Sequence, residues 1–227
     1  MMICFLHGAA GHYRDWSDII GELPSHDSNS LNLYDIVDQK INDAALTIND
    51  LNPDGEILIG YSMGGRIALH CLLADNSPWK KAIIFSTHTG LVSTKDKEIR
   101  RAHDNDWASL AESNFNEFLS NWNSQNVFSN STLINRDYSQ SNISSAISKS
   151  FINWSLAEQS FLNPFLQNIR IPVCWVVGQN DPKFVKIGET ATKLIPNSEL
   201  NISQASGHRV PWDDQKFTIQ TIKSFLQ

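Results

Sequence analysis

The 227-residue sequence predicts an α/β fold: a mostly parallel sheet with helices on both faces and one helical insertion. Three observations carry this. Short β-branched apolar runs alternate with amphipathic segments. The runs are apolar at consecutive positions, as strands covered on both faces must be. The alternation lapses once, over residues 94–165. Right-handed crossovers between such strands give a doubly wound sheet.

Taken in order, the strand-like runs are MICFL (2–6), SLNLYDI (30–36), EILIGY (56–61), AIIFST (82–87), PVCWVVG (172–178) and SELNIS (198–203). Amphipathic stretches at 15–23, 41–51, 64–74, 184–195 and 214–226 supply the covering helices. Residues 1–93 and 166–227 therefore read as a core, and 94–165 as a helical cap inserted between two strands. Within the cap, KEIRRAHDNDWASLAESNFNEFLSNW looks helical, and 129–145, rich in Ser and Asn, is the most loop-like part.

Composition narrows the function classes. Hydrophobic residues make up 41%, with seven Trp and eleven Phe, enough for a substantial core. The formal net charge is -6, so the overall field favours neither nucleic acid nor an anionic membrane. No run of apolar residues is long enough to span a bilayer. The opening MMICFLHG lacks the basic flank of a secretory leader, so a cytoplasmic monomer is expected. Cys4, Cys71 and Cys174 are odd in number and lie in apolar stretches, which predicts buried free thiols; no metal or cofactor is called for.

The stretch LIGYSMGGRIALH (58–70) concentrates the chemistry. Gly60-Tyr61-Ser62-Met63-Gly64 fits G-x-S-x-G between a strand and a helix, the pattern of a nucleophile elbow. A plain Gly-rich strand-to-helix turn would read the same way. An elbow, however, requires an acid and a histidine later in the chain, in that order. Asp181 in VVGQNDPKF and His208 in QASGHRV both follow strand ends, where open α/β sheets bind ligands. His208 would take a proton from Ser62, and Asp181 would fix the imidazole tautomer. Asp213 and Asp214 are alternatives for the acid, but they follow the histidine and suit a helix cap. FLHGAAG after the first strand offers the other half of an oxyanion site. The backbone N–H groups of Ala9 and Met63 are its candidate donors, with His7 a structural hydrogen bonder.

Arg66 stands apart. A cation in the first turn of a helix opposes the macrodipole by a few tenths of a kcal/mol up to about 1. Either a nearby carboxylate neutralises it, or it binds an anionic group of a substrate, for which the bidentate guanidinium is suited.

These motifs resemble the α/β-hydrolase superfamily. Within it, the chain is similar to the 2-succinyl-6-hydroxy-2,4-cyclohexadiene-1-carboxylate synthases of menaquinone synthesis. The matching stretches are FLHGAAGHYRDW, GYSMGGRIAL, STHTGL, RRAHDNDWA, NWNSQNVF, GQNDPKF and SGH, from Phe5 to His208. The resemblance implies a lyase that eliminates pyruvate from the tricarboxylate 2-succinyl-5-enolpyruvyl-6-hydroxy-3-cyclohexene-1-carboxylate. It puts the elbow serine, acid and histidine on Ser62, Asp181 and His208. It puts carboxylate-binding arginines on Arg66 and Arg100, and pocket aromatics on Tyr61 and Trp122; Arg101 could share the role of Arg100. The chain departs from the pattern in lacking DxPGHGxS after the second strand and in carrying Asn123 where an aromatic is expected. A carboxylesterase with Ser62 as nucleophile, and a non-catalytic binding protein on the same fold, stay open as alternatives.

Overall fold

The computed structural model describes residues 2–139 and 142–227. Its elements, in chain order, begin with β1 (Met2–Leu6), α1 (Ser17–Gly21), β2 (Asp27–Leu31), α2 (Ile41–Leu51), β3 (Ile57–Tyr61), α3 (Met63–Leu73) and β4 (Lys81–Phe85). Then come α4 (Thr94–Ser113), α5 (Phe115–Asn123) and α6 (Ile143–Asn153), followed by β5 (Val173–Gly178), α7 (Pro182–Leu194), β6 (Ser198–Ser203), α8 (Val210–Asp213) and α9 (Gln215–Leu226). The strands form a single sheet in the order β2-β1-β3-β4-β5-β6, every neighbouring pair parallel.

The pleat sorts each strand onto two cores. Cys4, Leu6, Leu58 and Ile84 face one layer; Ile3, Phe5, Ile57, Ile59, Ile83 and Phe85 face the other. That is why the inner strands β1, β3, β4 and β5 are apolar along nearly their whole length. The chain order reverses between β1 and β3, which opens a crevice at the carboxyl ends of these strands.

The second strand differs from the sequence expectation. It occupies Asp27–Leu31, not 30–36, and Leu33–Ile36 form a 3-10 turn. DSNSL is polar because β2 is an edge strand and only partly covered, so it lacks the apolar signature. Leu33 is instead fully buried, and its N–H donates to Nε2 of His7 at 3.2 Å.

Between β4 and β5 the chain leaves the sheet. Ser93 caps α4 by accepting from the Asp96 N–H. Asn114 ends α4, its N–H donating to Leu110 O, and caps α5 by accepting from the Glu117 N–H. Trp107, Phe118, Trp122 and Phe151 form an aromatic cluster across α4, α5 and α6, with ring centroids 5.1–6.0 Å apart. The stretch expected to be most loop-like lies partly outside the described residues, but 131–138 is anchored. Asp213 accepts from the Ser131 hydroxyl (2.8 Å) and the Thr132 N–H (2.7 Å). Arg136 Nε donates to both oxygens of Asp15 at 2.8 and 2.9 Å, with both side chains buried. The Tyr138 hydroxyl donates to Ala10 O at 2.7 Å.

Cys4, Cys71 and Cys174 are buried free thiols. Among the described residues, no helix is long and apolar enough to cross a membrane.

Candidate active site

Ser62 ends the turn after β3 in a conformation rare for a residue with a side chain, φ 52° and ψ -108°. Its N–H donates to Phe85 O at 2.9 Å, and its carbonyl accepts the first α3 bond from the Arg66 N–H. The chain doubles back so tightly that a Cβ on Gly60 would lie 2.7 Å from Gly65 Cα, and one on Gly64 would lie 2.5 Å from Leu6 O. The glycine spacing is thus demanded by the turn.

Two residues of the types preferred at helix N-caps leave their helices uncapped. Ser62 precedes α3 and Asp181 precedes α7, yet neither side chain bonds to its own helix. Both face His208. Its Nδ1 lies 2.7 Å from Asp181 Oδ2, and its Nε2 lies 3.1 Å from Ser62 Oγ. Asp181 is 7% exposed and His208 3%. The Phe184 ring packs edge-on against the imidazole at 4.4 Å, with Tyr61 at 5.6 Å and Phe128 at 5.7 Å. The rival acids do other work. Asp214 caps α9 through the Phe217 N–H, and Asp213 holds Gly207, Ser131 and Thr132.

A cavity of about 220 Å³ opens in front of Ser62. Ala9, Tyr61, Met63, Arg66, Arg100, Trp122 and His208 all line it with Ser62; Asp181 sits behind the histidine. Met63 is the first residue of α3, so its N–H has no intrahelical acceptor, and the residue lines the cavity. His7 is buried after β1; its Nδ1 bonds Gly8 O at 2.9 Å while Nε2 accepts from Leu33. Burial pushes its pKa down to about 4, so it is neutral and structural at pH 7.

Among the described residues, Arg66 does not meet a carboxylate. Its Nη1 donates to Gln159 Oε1 (2.9 Å) and its Nη2 to Trp154 O (2.6 Å), both uncharged acceptors. Burial, and then Arg100, bring its pKa down to about 9; it keeps its charge at neutral pH. Arg100 is held through Nε alone, bonded to both oxygens of Asp104 at 2.8 and 2.9 Å, and Asp104 also accepts from the Ser155 hydroxyl. Arg100 also lines the cavity. Arg101 points elsewhere, pairs with exposed Glu158, and does not line the cavity. Asn123, at the position of an expected aromatic, accepts from Arg209 Nη2 at 2.6 Å. Sequence reading passed over Ser86, His88 and Lys183 and found no constellation around His103; all four also line the cavity. For Lys183 the signal was available, a cation directly after Asp181-Pro182 in the first turn of a helix.

The 2-succinyl-6-hydroxy-2,4-cyclohexadiene-1-carboxylate synthase of Serratia proteamaculans is 27% identical over 221 residues, covering 88% of this chain and 86% of the relative. That of Photorhabdus laumondii is 29% identical over 224 residues, covering 90% and 80%. Among solved structures, MenH from S. aureus matches with a TM-score of 0.91 at 22% identity, over 100% of this chain and 93% of its own. A thermophilic esterase from Thermogutta terrifontis matches with a TM-score of 0.74 at 19% identity, over 100% and 89%. The family described as the alpha/beta hydrolase fold matches residues 24–215, and with its parallel six-stranded sheet and strained serine after β3 this chain belongs to that family.

Proposed function

We propose that this chain is a carbon–oxygen lyase of menaquinone biosynthesis. It would expel pyruvate from 2-succinyl-5-enolpyruvyl-6-hydroxy-3-cyclohexene-1-carboxylate and form the cyclohexadiene product in its relatives' names. The observation that carries the reading is Arg66, a buried cation paired only with neutral acceptors, sharing one cavity with Arg100 and the Ser62–His208 pair. A neutral ester needs neither arginine. A protein of net charge -6 binding a trianion needs local cations.

In this mechanism Arg66 and Arg100 bind substrate carboxylates. His208, oriented by Asp181, accepts the Ser62 proton as Ser62 Oγ removes the acidic ring proton. The electron pair left on the ring is delocalised onto the succinyl carbonyl, whose oxygen receives hydrogen bonds from the N–H groups of Ala9 and Met63. Collapse of that enolate forms a ring double bond from C2 to C3, shifts the existing C3–C4 double bond to C4–C5, and breaks the C5–O bond to the enolpyruvyl group. The leaving enolate takes up a proton and tautomerises to pyruvate. Ser62 never becomes acylated, and no metal or cofactor takes part. Tyr61 and Trp122 shape the apolar wall. Residues 94–165 act as a helical cap over a core of 1–93 and 166–227.

The deciding assay supplies the tricarboxylate and follows pyruvate, then repeats with nitrophenyl acetate. Pyruvate release with slow ester cleavage supports the lyase; fast ester cleavage without pyruvate replaces it with a carboxylesterase.

A further inference from the structure

We infer that Lys183 is a specificity-determining residue that binds a third anionic group of the substrate at the mouth of the cavity. The inference rests on the lyase reading and extends it, since Arg66 and Arg100 account for two of three carboxylates.

Lys183 is placed where a lysine is electrostatically disfavoured. It is the second residue of α7, at the positive end of the helix macrodipole. Although the residue as a whole is exposed, partial desolvation of its ammonium, followed by the charge of Arg100, lowers its pKa, while Asp181 opposes that shift. The Asp181 carboxylate, however, is already engaged by His208 at 2.7 Å. Among the described residues Lys183 has no ion pair or side-chain hydrogen bond. Its ammonium lies 5.5 Å from the Phe184 ring centroid, and that ring packs on His208. The lysine therefore lies along the cavity wall near the reacting groups, unlike a lysine on an open solvated face. An anion at the cavity mouth would relieve the repulsion from Arg100 and the helix dipole together.

The three cations also lie at graded depths. Arg66 is 7% exposed, the Arg100 side chain 34%, and Lys183 is exposed. A ligand with three mutually repelling carboxylates is met by charges spread from floor to mouth, not by one cluster. The deep positions use the rigid guanidinium fork. The mouth uses a flexible, strongly hydrated point charge, suited to drawing in an anion that still carries water.

The test compares wild type with Lys183→Met, which keeps the apolar stem, and Lys183→Arg, which keeps the charge. Expected for Lys183→Met is a fall in kcat/KM of about tenfold, nearly all in KM, with a weaker dependence on ionic strength. Lys183→Arg should recover most of it, and melting temperature should be unchanged or raised in both. An unchanged KM in Lys183→Met, or a loss confined to kcat, overturns the inference. Tricarballylate, a simple tricarboxylate, gives an arm independent of turnover. It should raise the melting temperature of wild type and raise that of Lys183→Met less. If wild type releases no pyruvate, the lyase reading fails while this second arm still decides Lys183. An equal tricarballylate shift in both proteins, or none in either, overturns the role given to Lys183.

Discussion

The carboxylate of Asp181 reaches His208 Nδ1 at 2.7 Å although Asp181 occupies the N-cap position of α7, and so leaves the helix without its side-chain cap. A forgone cap costs about 0.5–2 kcal/mol. The arrangement predicts that Asp181 serves the imidazole and not its helix. Ser62→Ala and His208→Ala should each lower turnover by about a thousandfold or more, and Asp181→Asn should also be severe. Asp213→Asn should leave turnover within about tenfold of wild type, because Asp213 only ties Gly207 to residues 131–132. Steady-state pyruvate release checks all four. High activity in Asp181→Asn would hand the acid role to another residue.

Arg66 and Arg100 should each cost roughly 2–5 kcal/mol of transition-state stabilisation when truncated, the range for removing one partner of a buried charged pair. Arg66→Lys should recover little, because an ammonium cannot keep Gln159 and Trp154 while presenting a fork. Nitrophenyl acetate hydrolysis should barely respond to either change. Pyruvate release indifferent to both arginines would refute their roles and leave the reaction standing.

The stretch at 129–139 is polar enough to suggest an open loop, but Arg136 and Asp15 pin it from inside the protein. Arg136→Met should destabilise by about 3–5 kcal/mol, since it leaves the Asp15 carboxylate buried without its cation. It should also make this stretch the first site of limited proteolysis. Adding Asp15→Leu should restore much of the stability. Chemical denaturation of the two variants separates an unpaired charge from a simple loss of packing.

Three histidines, His7 and His70 buried and His88 half-buried, make the fold acid-sensitive. Burial lowers His7 and His70 from 6.5 to about 4 and His88 to about 3. The unfolded chain therefore takes up these protons first, near pH 6.5, and stability falls as pH drops from there toward 4. Melting temperature should decline between about pH 7 and pH 5. His70→Leu should flatten the decline, because among the described residues His70 Nε2 is buried without a hydrogen-bond partner and little is lost with it. An unchanged slope in that variant would assign the acid sensitivity elsewhere.

The central strands and the elbow were legible because their signals are local. The four inner strands announce themselves by consecutive apolar residues, and Gly60, Ser62 and Gly64 are spaced by the needs of a single turn. The edge strand β2 was displaced in the reading because an edge needs no apolar run, while Leu33 and Tyr34 just after it are buried in a 3-10 turn beside His7. The order Ser62, Asp181, His208 could be read; the neutral partners of Arg66 could not. Gln159 and Trp154 lie 93 and 88 residues away, and nothing in their own sequence context points back to α3. The same holds for Arg136 with Asp15, 121 residues apart.

Arg209 follows His208 directly in the chain, and its guanidinium sits 3.9 Å over the Phe128 ring while bonding Asn123 and Thr132. Its backbone N–H donates to Ser131 as well. The residue that carries the imidazole is thus mechanically interlocked with the segment from Asn123 to Thr132. An outward swing of that segment would strain the peptide next to His208, which holds Nε2 3.1 Å from Ser62 Oγ. Under the proposed lyase function, opening of the cavity along this segment and alignment of His208 with Ser62 would then oppose one another.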